Sequence, residues 1–77
     1  MTHKILPRPC FMDECIYLKV VGERKVWKSQ DGKRFYTWDT LHGEVEVFDK
    51  RGYHLGSVDP INGQYIKSAV KGRRLNV

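Results

Sequence analysis

The sequence predicts a mainly β fold, a small, highly twisted antiparallel sheet of about five to six short strands in a single domain. Three observations predict it. Short runs of β-branched and aromatic residues alternate with turn signals such as Asp31-Gly32 and Asn62-Gly63. No window shows a convincing 3.6-residue period of an amphipathic helix. At 77 residues the chain is long enough for one thin hydrophobic core.

The elements follow in order along the chain. The predicted strands cover residues 15–21, 25–28, 33–38, 44–48, 53–58 and 64–67. A helical turn over residues 12–17 is the alternative for the beginning of the first strand. Glycine-containing turns, including Asp31-Gly32 and Arg51-Gly52, separate consecutive strands and favour antiparallel neighbours.

The chain is expected to have two parts. Residues 1–23 are predicted to be an N-terminal extension that packs on the sheet or leads into it, and residues 24–77 hold the motifs described below. No apolar run approaches the ~18–20 residues of a transmembrane helix, and residues 1–9 lack the apolar centre of a secretory signal. Cys10 and Cys15 make no disulfide framework, which favours a reducing compartment.

The net charge of +5 is distributed unevenly. Residues 23–34 carry five cations and two acids, and residues 67–77 carry four cations and no acid. Between these basic arms, residues 39–59 carry five acids. A protein that only binds nucleic acid gains nothing from central carboxylates, because carboxylates repel phosphate. The acids therefore need a different reason to be there.

Alternation along residues 44–48 separates two kinds of side chain. Val45 and Val47 share one face of the predicted strand, whereas Glu44, Glu46 and Phe48 share the other. Since the valines belong in the core, the glutamates and the aromatic ring are expected on an exposed face. An ordinary solvated face with cross-strand ion pairs is the alternative interpretation.

The segment from residue 36 to residue 46 concentrates groups that can transfer protons. Asp39, His42, Glu44 and Glu46 supply carboxylates and an imidazole, the groups that metal-free RNA cleavage requires together with a nearby cation. Such chemistry uses the 2′-hydroxyl and cannot act on DNA. His42 as a surface turn residue is one alternative, and a metal site made of Asp39, His42 and Glu44 is another.

Three separated segments carry a resemblance to a known family. WKSQDGKRFYTWD at residues 27–39 is followed by HGEVE at residues 42–46 and by HLGSVDP at residues 54–60. In this order and spacing they resemble the cytotoxic ribonuclease domain of the ribosome-inactivating colicins and cloacin. The resemblance covers about residues 24–73. It implies a metal-independent endoribonuclease toxin without a cofactor, which halts translation by a single cut in 16S ribosomal RNA at the decoding site.

The resemblance also implies the catalytic residues. The catalytic Asp, His and Glu of the family fall on Asp39, His42 and Glu46, and its essential Arg falls on Arg73. Glu46 is expected to be the general base and His42 the general acid, although the two roles can be exchanged. Asp39 is expected to support His42 and Arg73 the developing phosphorane. A slip of one residue in the C-terminal alignment would pass the role of Arg73 to Arg74.

RNA-binding residues follow from the resemblance and from the basic arms. Phe48 is expected to stack on an extruded base, at the position where the family has a tyrosine. Lys67 matches an RNA-contacting lysine of the family. The basic arms are expected to hold phosphates through Lys33, Arg34 and Arg74.

The expected partners are the 70S ribosome with its 16S rRNA and an acidic immunity protein or antitoxin, with no membrane and no DNA. The expected place of action is the bacterial cytoplasm, with no signal peptide on this chain. Residues 1–23 do not resemble the flanking sequence of the family. A stand-alone toxin or an excised tip of a larger toxin therefore explains the chain better than a self-sufficient bacteriocin. The alternative functions are a tRNA-cleaving toxin on the same fold and a non-catalytic basic β-barrel that binds RNA or the ribosome.

Overall fold

The computed structural model describes residues 4–75 and shows one antiparallel sheet of six strands that lie in chain order. The strands are β1 (Ile16–Val21), β2 (Arg24–Lys28), β3 (Arg34–Asp39), β4 (Glu44–Asp49), β5 (His54–Val58) and β6 (Tyr65–Ser68). The mainly β prediction is confirmed, and each strand agrees with its predicted range to within one residue at either end. Among the described residues, no helix has the length and apolar character needed to cross a membrane.

The N-terminal segment before β1 covers one face of the sheet. This valine face carries Val45 and Val47 of β4, which pack with Trp27 and Trp38. Met12 belongs to the same cluster and is fully buried; it lies in a 3-10 helical turn (Phe11–Glu14). The indole N–H of Trp38 donates to the carbonyl of Lys4 at 3.0 Å. The segment is therefore part of the core.

The opposite face, called here the site face, is also covered. Glu46 is only 5% exposed and Phe48 only 3%, so the prediction that they lie on an exposed face is wrong. The physical reason is a second small cluster, in which Phe48 packs with Val26 and with Leu75 from the C-terminal segment. A single strand pattern shows that the two faces differ, but it does not show that a distant segment folds over the second face.

The C-terminal segment reaches the site face because residues 73–75 pair with residues 52–54. The N–H of His54 donates to the carbonyl of Arg73 at 3.1 Å, and the N–H of Leu75 donates to the carbonyl of Gly52 at 2.6 Å. Arg74 forms a bridge with Tyr53 between these two bonds. Alternation along this short ladder directs Arg73 and Leu75 to the site face and Arg74 away from it.

A bulge in β5 changes which residues face the site. Glu46 pairs with Ser57 and Val47 with Gly56, but Phe48 pairs with His54, which leaves Leu55 as an extra residue. Because of this extra residue, Ser57 and His54 both lie on the site face. Gly56 has a φ of 143°, and a Cβ there would lie 2.4 Å from the carbonyl oxygen of Lys67. The position therefore requires glycine.

Candidate active site

The site face contains a cleft of about 260 Å³. Its wall combines carboxylates, imidazoles and cations contributed by β2 to β6 and by the C-terminal segment. These residues are Asp39, Glu46, His42, His54, Arg24, Lys67 and Arg73.

Asp39 and His42 form one pair at the edge of the cleft. Asp39 ends β3, and its Oδ1 accepts the backbone N–H groups of Leu41 (3.0 Å) and His42 (3.2 Å), which closes the turn into β4. Its Oδ2 lies 2.8 Å from Nδ1 of His42. Burial raises the pKa of the Asp39 carboxyl, but the hydrogen bonds from His42 and Leu41, together with Arg24, outweigh burial and hold the pKa below its usual value. Asp39 is therefore a buried carboxylate.

The His42 ring is available to a ligand. Its side chain is 55% exposed, whereas that of Asp39 is almost fully buried. With Nδ1 directed at Asp39, the other ring nitrogen, Nε2, is the one that a ligand in the cleft can reach. A carboxylate on Nδ1 fixes the ring orientation and favours a proton on that nitrogen. The pair is thus arranged to give or take a proton through Nε2 of His42.

Glu46 is the second carboxylate and lies in the middle of β4. Its Oε2 lies 2.5 Å from Nε2 of His54, and its Oε1 accepts a longer hydrogen bond of 3.3 Å from Nη1 of Arg73. The side chains of Glu46 and His54 are both buried. Two neighbouring chain segments, β5 and the C-terminal segment, therefore hold one carboxyl group.

The hydrogen bonds of His54 determine which of its ring nitrogens accepts and which donates. The backbone N–H of Val70 donates to Nδ1 at 2.8 Å, so Nδ1 carries no proton. Nε2 is then the nitrogen that carries a proton and donates to Glu46. His54 is therefore an N–H donor that orients the Glu46 carboxyl group, and the Phe48 ring packs against it edge-on at 5.3 Å.

Three cations surround these pairs. Nη2 of Arg24 lies 4.0 Å from Oδ2 of Asp39. Nζ of Lys67 lies 3.0 Å from Oε1 of Glu44, so Glu44 pairs with a lysine at the rim of the cleft. Arg73 contacts Glu46 inside the cleft. The positive charges stand where a phosphate entering the cleft would meet them.

Five of the residues predicted from the sequence come together in this cleft: Asp39, His42, Glu46, Lys67 and Arg73. Arg74 lies outside it, with its guanidinium 5.2 Å above the Tyr53 ring and its Nε donating to the carbonyl of Arg51. Lys33 and Arg34 lie at the far end of β3, beside Lys50 and Arg51, about 17 Å along the strand from Asp39.

Phe48 does not present an open ring to the cleft. It is enclosed by Val26, Leu75 and the edge of His54. The stacking role that the resemblance implies for Phe48 has no accessible ring surface in this arrangement, because the C-terminal segment covers the ring. What Phe48 supports here is the orientation of His54.

His54 and Arg24 are the residues of the cleft that sequence reasoning missed. Strict alternation back from Val58 places His54 on the valine face, away from Ser57. The bulge reverses that assignment. Gly56 is the residue that indicates this bulge in the sequence, since a glycine inside a strand marks a bulge or a close backbone approach. Arg24 stands in the first basic arm, where charge alone does not distinguish it from its neighbours.

The metal alternative has no matching cluster in the described part of the chain. Within residues 4–75, no three His, Cys, Asp or Glu side chains are grouped as ligands of one metal ion. Glu44, the third member of the alternative ligand set, pairs with Lys67 instead.

Comparison with known proteins matches the sequence of this chain to one family. A family model described as Cytotoxic matches residues 16–76. Colicin E3 of Escherichia coli is 45% identical over 47 residues, which make up 60% of this chain and 8% of the colicin. Colicin-E6 and cloacin, both of Escherichia coli, are 40% and 38% identical over stretches of the same length. The chain spans only 8% of the length of each of these curated relatives.

Proposed function

This chain belongs to the Cytotoxic family of colicin-type toxin domains, and we propose that it is an endoribonuclease toxin that cuts 16S rRNA at the decoding site of the ribosome. The observation that carries the proposal is the cleft itself. A carboxylate held by His54 and Arg73 and an imidazole held by Asp39 line the same cleft. These are the base, the acid and the cation of RNA cleavage through the 2′-hydroxyl.

The proposed reaction begins at Glu46. The RNA phosphate attracts Arg73 away from its 3.3 Å contact, which leaves Oε1 of Glu46 open to the 2′-hydroxyl. Glu46 takes the hydroxyl proton as the 2′-oxygen attacks the adjacent phosphorus. His54 keeps its hydrogen bond to Oε2 and so directs Oε1 toward the cleft.

The leaving group departs on the side of His42. Protonated His42 gives its Nε2 proton to the 5′-oxygen as the bond from phosphorus to that oxygen breaks. Asp39 supports the positive charge on His42 until the proton leaves. Arg73 neutralises the charge that develops on the phosphorane. The products are a 2′,3′-cyclic phosphate and a 5′-hydroxyl, so DNA, which lacks the 2′-hydroxyl, is not a substrate.

The proposed partners follow from charge. A domain of net charge +5 is attracted to the ribosome and to a small acidic immunity protein or antitoxin that protects the producing cell. The proposed place of action is the bacterial cytoplasm, where the ribosomes are. Lys67 and Arg24 bind phosphates next to the cut, and Lys33, Arg34 and Arg74 bind phosphates farther from it.

The test is primer extension along 16S rRNA after incubation of the purified protein with 70S ribosomes in excess EDTA. We expect one new stop in the decoding region and a 2′,3′-cyclic phosphate on the upstream fragment. Glu46→Gln and His42→Ala should each reduce the rate at least ~10²-fold, as loss of a general base or acid does.

Glu44→Gln is the matched control, since Glu44 lies on the same strand but pairs with Lys67 at the rim. Its rate should stay within a few-fold of the wild type. An essential Glu44 with a dispensable Glu46 would contradict the assigned base. Activity that vanishes with EDTA and returns with a divalent ion would refute the metal-free scheme. Cleavage of tRNA while 16S rRNA stays intact would agree with the proposed chemistry, but it would show that 16S rRNA is not the target.

A further inference from the structure

Two buried hydroxyl groups beside Glu46 lack hydrogen-bond partners. Within residues 4–75, Oγ1 of Thr37 and Oγ of Ser57 are the buried side-chain polar atoms without one. Both residues are only 1% exposed. Buried hydroxyls are nearly always paired, because an unpaired one loses its hydrogen bonds to water without replacement. Two unpaired hydroxyls in one small domain therefore need a reason.

The position of the two hydroxyls in the sheet supplies a reason for their lack of partners. Thr37 of β3 pairs with Glu46, and Glu46 pairs with Ser57 of β5, so the three side chains form one cross-strand row on the site face. Directly opposed residues have Cβ atoms about 4.5–5.5 Å apart, within reach of a hydroxyl and a carboxylate. Ser57 also forms part of the cleft wall. One hydroxyl thus stands on each side of Glu46.

We propose that Thr37 and Ser57 are positioning residues whose hydroxyls donate to the Glu46 carboxylate when Arg73 turns to the RNA phosphate. The inference rests on the proposed function of Glu46 as the base. In the free protein, Oε1 of Glu46 accepts its hydrogen bond from Arg73, and the hydroxyls of Thr37 and Ser57 do not donate to it. Once Arg73 leaves, they donate to the carboxylate and hold it in the orientation that the 2′-hydroxyl requires, while one lone pair of Oε1 stays open to that hydroxyl.

Hydroxyl groups suit this place because each can both donate and accept. Before proton transfer they donate to the carboxylate. After transfer, the new O–H of the Glu46 carboxylic acid can donate to one of them, and neither hydroxyl gains or loses a proton overall. Both oxygens are enclosed, so they act through Glu46 and do not touch the substrate.

The kinetic test compares the wild type with the double variant Thr37→Val, Ser57→Ala, which removes two oxygens and little volume. We expect kcat to fall about tenfold, the effect of losing one hydrogen bond to a charged group, with KM within about twofold. The acidic limb of the pH profile should move to higher pH, because a carboxylate without these donors takes up a proton more readily. Thr37→Ser, which keeps the hydroxyl, should retain kcat. If the double variant does not fold, Ser57→Ala takes its place.

An unchanged kcat and an unchanged acidic limb in a folded variant would overturn the proposal. An equal loss of kcat in Thr37→Ser would also overturn the proposal. That variant keeps the hydroxyl, so the loss would show that only the shape of the side chain matters. A second measurement needs no substrate. In a crystal structure of Arg73→Ala, at least one of the two hydroxyls should lie within about 3.2 Å of a Glu46 carboxylate oxygen. Hydroxyls that bond elsewhere there would overturn the inference. If the wild type cuts no RNA, the proposed function is wrong. The crystal structure of Arg73→Ala would still test the inference about Thr37 and Ser57.

Discussion

At the scale of single residues, neighbours in sequence have different roles because a three-residue ladder alternates. Arg73 and Leu75 point to the site face, and Arg74 points to Tyr53. The alignment of motifs leaves the choice between Arg73 and Arg74 open, because the two arginines are adjacent and a slip of one residue exchanges them. The hydrogen bonds that flank the Tyr53–Arg74 bridge place Arg73 in the cleft and Arg74 outside it.

This alternation predicts unequal effects of two equal substitutions. Arg73→Ala should lower the cleavage rate about 10²–10³-fold, because it removes the cation beside the reacting phosphate. Arg74→Ala, the matched control, removes the same group on the other side of the ladder and should weaken ribosome binding less than tenfold. Single-turnover cleavage of 70S ribosomes measures both. A large effect at Arg74 with none at Arg73 would place the phosphate on the Tyr53 side.

Asp39 connects the site to stability through pH. Its pKa is lowered in the folded protein, so its charge stabilises the fold above the ordinary carboxyl pKa of about 3.9, and that stabilisation is lost as pH falls through the folded value. Asp39→Asn should lower the free energy of unfolding by about 1–3 kcal/mol at pH 7. The difference from the wild type should close toward pH 3. Urea unfolding at both pH values measures it, and a difference that is constant with pH would contradict the assignment.

The sequence predicts a contact between two site residues well when they have complementary chemical groups and lie only a few residues apart. Asp39 and His42 are three residues apart, and the turn between β3 and β4 brings them into contact without help from the rest of the chain. His54 is different, because its place depends on a bulge, and the burial of Phe48 depends on Leu75, which is distant in sequence. Contacts of that kind are decided by tertiary structure.

At the scale of elements, alternation and turn glycines predict where each strand is but not how its register runs. Each of the six predicted strands agrees with the structure to within one residue at either end. The strand pattern does not predict the register shifts in the β1–β2, β4–β5 and β5–β6 pairs. A bulge changes pairing by one residue and leaves composition and hydrophobicity unchanged, so nothing in the strand pattern except Gly56 indicates it.

Gly56→Ala tests whether this bulge holds the cleft together. The new Cβ would press on the backbone oxygen of Lys67, and φ at this position is 143°. We expect a loss of about 3 kcal/mol in the free energy of unfolding, together with faster hydrogen exchange in β6 and slower RNA cleavage. Gly22→Ala is the control, with a φ of 54° and no atom within 4 Å of the new Cβ. It should lose about 1 kcal/mol and keep its activity. Equal losses in both variants would show that backbone conformation alone matters at Gly56.

At the scale of the whole molecule, one thin sheet is covered on both faces by the two ends of the chain. Residues 4–15 lie on the valine face and residues 73–75 on the site face. The total stability of a chain of this size is about 4–12 kcal/mol. Neither cover can be lost without exposing large apolar side chains such as Trp38 or Phe48.

The N-terminal cover gives the last prediction, because the motifs alone suggest a domain that begins at residue 24. A chain that starts there lacks β1 and Met12, leaves Trp38 and Val47 open to water, and should be unfolded or aggregated. Met12→Ala in the whole chain should lower the free energy of unfolding by about 2–5 kcal/mol, a large part of the total. Ile5→Ala, at a side chain that is 90% exposed in the same segment, should change it by no more than about 0.5 kcal/mol. Urea unfolding followed by tryptophan fluorescence measures all three chains. Cooperative unfolding and full RNA cleavage by the chain that starts at residue 24 would show that β2 to β6 and the C-terminal segment suffice without this cover.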